Sequence, residues 1–135
     1  MSDGNDNAEV KAAELGLIVV APGPRQLLAD IDTEADYLYL QTQISRLVSN
    51  GVAITITRDT PSKSGLPKRH ITLEVDHDIS DIERIALQAC LGSDRVREIL
   101  SLCRVYRGTS PATVFFELPS AERAPDIGAV PVLPW

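Results

Sequence analysis

Two acids one residue apart, Asp30 and Asp32, end the apolar run Arg25-Gln26-Leu27-Leu28-Ala29-Asp30-Ile31-Asp32. On a β-strand, whose side chains alternate with a period of two, both carboxylates leave the same face roughly 6 to 7 Å apart. Like charges so placed repel. A divalent cation that prefers oxygen ligands, Mg²⁺ or Mn²⁺, removes the repulsion and brings the chemistry of phosphate transfer. The competing structural reading makes Asp30 a strand-end residue and Asp32 a cap for the helix that follows. Two further places carry candidate chemistry. His70, in Lys68-Arg69-His70-Ile71-Thr72-Leu73, is a candidate site residue or else sits half-buried in a strand. Asp94, in Gly92-Ser93-Asp94, offers a third carboxylate or else caps the next helix.

Periodicity predicts the elements that position these residues. Ala8 to Leu15 reads as a short helix stopped by Gly16, and Leu17 to Ala21 as a short strand. With the polar start they make residues 1–24 a flexible amino-terminal segment. After the turn Pro22-Gly23-Pro24 comes the acidic strand. Thr33, with Asp36 three residues on, starts a helix in which Tyr37, Leu40, Ile44, Leu47 and Val48 recur at helical spacing until Asn50-Gly51. Val52 to Thr57 alternates as a second strand, Pro61 to Pro67 is an exposed loop, and Arg69 to Val75 is a third strand. Ser80 and Glu83 form a capping box for a helix over Ile82, Ile85, Ala86 and Ala89. Beyond Gly92 a further helix, from about Ser93 to Cys103, aligns Val96, Ile99, Leu100 and Cys103 on one face. Thr113 to Leu118 is the last strand of a core spanning residues 25–118, and residues 119–135, rich in proline, form a tail over the surface.

From Arg25 the order is strand, helix, strand, strand, helix, strand. This is the βαββαβ pattern of a ferredoxin-like or RNA-recognition-motif-like α+β sandwich, an antiparallel four-stranded sheet with helices on one face. Right-handed crossovers then put the third strand between the first two and antiparallel to the first. Arg69 and His70 come to lie beside Asp30 and Asp32, and the turn carrying Asp94 returns to the same edge.

Composition narrows the function classes. The chain has 135 residues, 44% of them hydrophobic and 24% charged, as expected of one globular domain that needs no disulfide to fold. A net charge of -6 excludes a general polyanion binder, and an aromatic content of 4% argues against a stacking platform for single strands. Nucleic-acid contact would be local, along a basic rim drawn from Arg58, Lys63, Lys68 and Arg69 and from Arg95, Arg97, Arg104 and Arg107, unless these only form a solvated face. Cys90 and Cys103 lack metal-ligand spacing and read as reduced core cysteines. With no visible signal peptide and no apolar run of membrane-spanning length, the expectation is a cytoplasmic, intracellular protein without a membrane partner.

The ordered set of motifs, over about Arg25 to Glu117, resembles the archaeo-eukaryotic primase (primase-polymerase) superfamily. That family's first motif is a strand ending acid, apolar residue, acid, as in Asp30-Ile31-Asp32. Its second is a small residue, any residue, then His at the head of a strand. Lys68-Arg69-His70 is similar, with Lys68 where serine is usual. Its third, a single Asp followed by an arginine-containing stretch, is similar to Asp94 with Arg104-Val105-Tyr106-Arg107. The zinc motif of larger members is lacking. The resemblance implies a minimal catalytic core, active in DNA replication or priming, that joins nucleotides to a 3′-hydroxyl by a two-metal mechanism. Asp30, Asp32 and Asp94 would hold Mg²⁺ or Mn²⁺, and His70 would contact the incoming triphosphate. Lys68, Arg69, Arg104 and Arg107 would meet nucleotide or template phosphates. The implied partners are nucleoside triphosphates, a DNA template and a replication protein such as a helicase, in a cellular, viral or mobile-element system. Two other readings stand beside this one. The first is a non-catalytic module of the same fold that binds nucleic acid or a replication partner; the second is a metal-dependent phosphodiesterase whose carboxylates activate water.

Overall fold

The computed structural model describes residues 10–118, so the expectations for residues 1–9 and for the tail over 119–135 lie outside the described residues. Strands β1 (Ile18–Val20), β2 (Gln26–Ile31), β3 (Ile54–Pro61), β4 (Arg69–Val75) and β5 (Phe115–Glu117) combine with helices α1 (Glu34–Ser49), α2 (Asp81–Cys90) and α3 (Arg95–Tyr106) in an α+β fold. A helical turn over residues 10–14 precedes β1.

Strand alternation builds the core. Leu27, Ala29 and Ile31 of β2, Ile54 and Ile56 of β3, and Ile71, Leu73 and Val75 of β4 share a buried cluster with Leu40 and Ile44 of α1 and with Leu91. Each fully buried aliphatic side chain of this kind contributes about 1.5 to 3 kcal/mol of transfer free energy. As the crossover rule requires, β4 lies between β2 and β3 and is antiparallel to both. A bulge interrupts β3, where Ile56 pairs with Leu73 but Arg58 pairs with Thr72. The extra residue, Thr57, reverses the alternation, so Asp59 rather than an aliphatic residue follows Ile54 and Ile56 onto the helix-covered face, opposite Ile71.

The expected four-stranded sheet does not form. The chain makes a three-stranded sheet, β2-β4-β3, and a separate two-stranded sheet in which β5 pairs antiparallel with β1. The reason is visible at the outer edge of β2, where a fourth strand would attach. Gln26 N–H donates to Gly23 C=O at 3.2 Å, and Arg84 Nε donates to Gln26 C=O at 2.8 Å. Leu28 N–H donates to Gln88 Oε1 at 2.8 Å, while the Arg97 guanidinium donates to Leu28 C=O. Asp30 N–H donates to Ser93 Oγ at 2.9 Å, and its C=O accepts from Asp94 N–H at 2.8 Å. Side chains from α2, α3 and the turn between them thus occupy the edge and leave no ladder for β5. The residues ahead of Arg25 are accordingly tied to the last strand of the core through β1.

One further expectation is corrected. Cys90 and Cys103 are both free and exposed rather than core residues. The apolar face of α3 also points outward, with Val96, Ile99 and Leu100 all exposed, whereas Glu98 and Ser101 are buried. Among the described residues no helix is long and apolar enough to cross a membrane.

Candidate metal centre

Three acids from two distant parts of the chain meet at the end of β2. β2 stops at Ile31, and Thr33 immediately opens α1 by accepting the Asp36 N–H at 3.0 Å, which leaves Asp32 at the strand-to-helix corner. The second part is the turn after α2. Gly92 there has φ of +84°, a left-handed conformation suited to glycine, and a Cβ would stand 2.7 Å from Tyr39 Cδ2. That turn delivers Ser93 and Asp94 to Asp30, and the paired bonds from Ser93 Oγ and Asp94 N–H stitch the two segments together. One carboxylate oxygen from each of Asp30, Asp32 and Asp94 then lies within 4.8 Å of the others.

The electrostatics are those of crowded like charge. Partial burial, followed by the charges of Asp30 and Asp94, pushes the Asp32 carboxyl above its ordinary pKa. Asp36 adds to the effect, and Lys68, exposed at the entry to β4, opposes it. Asp94 also serves as the cap of α3, its Oδ1 accepting the Val96 N–H at 3.0 Å, while its carboxylate stays within the acidic cluster. Asp32 and Asp94 each precede a helix amino terminus, where the helix dipole lowers part of the cost of their charge. The donor set is all carboxylate, hard oxygen ligands whose chemistry fits Mg²⁺ or Mn²⁺.

The other residues expected at this site divide. His70 is the register partner of Asp30. Asp30 turns its N–H and C=O away from β4, so the two form a non-hydrogen-bonded pair, the kind in which side chains stand closer. The His70 ring, however, is buried; Nδ1 lies 3.1 Å from Glu117 Oε2, and the ring stacks on Phe115 at 4.0 Å. Beside it Thr60, Pro61, Ser62, Lys63, His70 and Glu117 line a cavity of about 30 Å³, room for a water molecule rather than a triphosphate. Arg69 pairs in register with Ile31 but lies on the helix-covered face. There its guanidinium bonds to Asp59 at 3.1 Å and Glu34 at 3.0 Å and sits 3.8 Å over the Tyr37 ring. Arg69 is therefore engaged in packing and is not presented beside the acids. Lys68 is exposed near Asp32. Arg104 donates to Ala112 C=O at 3.2 Å and, through burial and the cations Arg107 and Arg97, has its pKa held below the usual guanidinium value. Arg107 is exposed.

Sequence reasoning brought the turn Gly92-Ser93-Asp94 to this edge but assigned Ser93 and Gly92 no part in fixing it there. Arg97, which donates to Leu28 C=O, to Glu98 Oε2 at 2.7 Å and to Val114 C=O at 3.2 Å, looked like one more surface cation. Glu117, the partner of His70, carried no local signal at all. Comparisons with protein-family models, with curated proteins and with solved structures gave no match to this chain.

Proposed function

We propose that this chain is a minimal primase-polymerase-like nucleotidyltransferase that extends a 3′-hydroxyl on a DNA template, using divalent cations held by Asp30, Asp32 and Asp94. The observation that carries the reading is the convergence of these carboxylates from β2 and from the turn before α3, within 4.8 Å of one another. Their order along the chain matches the acidic motifs of the resemblance, as does a histidine in register with Asp30. The finer fold assignment, a ferredoxin-like core with its fourth strand displaced, belongs to the same proposal.

When bound, divalent cations in such a site lower the pKa of an attacking hydroxyl and neutralise a leaving pyrophosphate. Asp30 and Asp32 supply ligands from a rigid strand end. Asp94 supplies one from its second carboxylate oxygen while the first caps α3. Lys68 is the cation best placed to meet nucleotide phosphates, being exposed and already coupled to Asp32. Arg107, exposed at the end of α3, and Arg104 beside it are candidates for template phosphates. His70 acts on the nucleotide only by exchanging its contact with Glu117, and in the present arrangement it holds β4 against β5.

That arrangement favours a second reading, a non-catalytic module of related fold that binds nucleic acid or a replication partner. His70 and Arg69 are both occupied by the protein's own side chains. The experiment that separates the readings incubates purified protein with primed template, labelled deoxynucleotides and Mn²⁺. The enzyme makes extended product, and Asp94→Asn, in which asparagine still caps α3, binds template as tightly and makes none. Template binding without product in the wild type supports the module and removes the enzyme reading.

A further inference from the structure

Helix α3 is built inside out. Its buried positions are polar: Glu98 accepts from Gln88 Nε2 at 2.9 Å, Ser101 is 2% exposed, and Arg97 spans the carbonyls of Leu28 and Val114. Its outward positions are apolar, with Val96 66%, Ile99 61% and Leu100 55% exposed, and with Cys103 and Tyr106 continuing the stripe one and two turns on. An amphipathic helix normally turns such a stripe to the core. Here the inward side is committed to the hydrogen bonds that seal the edge of β2, so the stripe is left for another occupant.

We infer that the occupant is the chain's own carboxy-terminal segment, residues 127–135, Ile-Gly-Ala-Val-Pro-Val-Leu-Pro-Trp. Three observations point to it. The first is reach. The segment before β5 runs alongside α3, with Arg104 bonded to Ala112 C=O and Arg97 to Val114 C=O, both at 3.2 Å. The chain therefore leaves Leu118 beyond the amino-terminal end of the helix. The residues from there to Trp135 span up to about 56 Å when extended, against about 18 Å for a helix of 12 residues. The second is chemistry. Ile127, Val130, Val132, Leu133 and Trp135 match an apolar stripe, and Pro131 and Pro134 lack the N–H donors that an apolar surface would leave unsatisfied. The third is charge. The exposed charged residues flanking the stripe are Arg95 and Arg107. A second copy of α3 would set these cations against their like, whereas the tail, with Glu122 and Asp126 against Arg123, carries a net negative charge.

Trp135, the chain's single tryptophan, makes the inference measurable in the full-length protein. Its emission in dilute solution should be blue-shifted and protected from iodide, as for an indole on an apolar surface. Ile99→Asp with Leu100→Asp, both at exposed positions, should shift the emission to that of a free indole while the circular dichroism stays the same. Leu133→Asp, outside the described fold, should do so equally. Three results overturn the assignment: full iodide access in the wild type, protection that grows with protein concentration as pairing of two copies requires, or release of Trp135 by Leu133→Asp but not by the α3 variant.

Discussion

Asp32 carries the most informative charge in the molecule. Its carboxyl is raised above the ordinary value by burial and by Asp30 and Asp94, so between the unfolded and folded pKa values the native state holds a proton that the unfolded state has lost. Stability from this group therefore falls as pH rises through that window, and the full penalty is present above it. Asp32→Asn should accordingly be more stable than wild type at pH 7 in chelator, with the difference shrinking as pH falls through that window and gone below a pH of about 4, where the unfolded carboxyl is also protonated. Urea denaturation at the two pH values reads this. Equal stability at pH 7 would mean that the acids are not crowded. These carboxylates were legible in the sequence because strand alternation and helix capping are local rules. The fate of Arg69 was not legible, because it depends on a bulge at Thr57 that swings Asp59 onto the helix-covered face, and no local pattern marks that bulge.

Between elements, His70 is the bridge. It sits in β4 of the larger sheet and meets Phe115 and Glu117 of β5, which the smaller sheet shares with β1. His70→Ala should destabilise the protein by about 1 to 3 kcal/mol, since it removes a stacked ring and strips Glu117 of a buried partner. A histidine that served substrate alone could be removed with little loss in thermal unfolding. Element order and the neighbouring of β2 with β4 could be read from hydrophobic periodicity and crossover handedness. The place of β5 could not. It follows from Arg84, Gln88, Ser93 and Arg97 occupying the β2 edge, and side chains that satisfy a backbone edge leave no periodic trace. The orientation of α3 was hidden for the same reason: helical spacing puts its apolar residues on one face without saying where that face points, and Glu98 is the residue its surroundings bury.

At the scale of the whole molecule, an acidic chain of net charge -6 concentrates three carboxylates at one point and joins two remote segments of backbone to do so. That concentration is costly without a counter-charge and becomes stabilising with one, which is the central claim of the proposed function. Titrating Mn²⁺ while following thermal unfolding tests it directly, with Asp94→Asn as the comparison because asparagine preserves the α3 cap. A ligand bound only to the native state adds about 2.7 kcal/mol at one hundred times its Kd. The wild type should show a saturable rise in melting temperature with Mn²⁺. Asp94→Asn should start at equal or higher stability and lose most of that rise. The same Mn²⁺ response in both proteins would contradict a shared cation site.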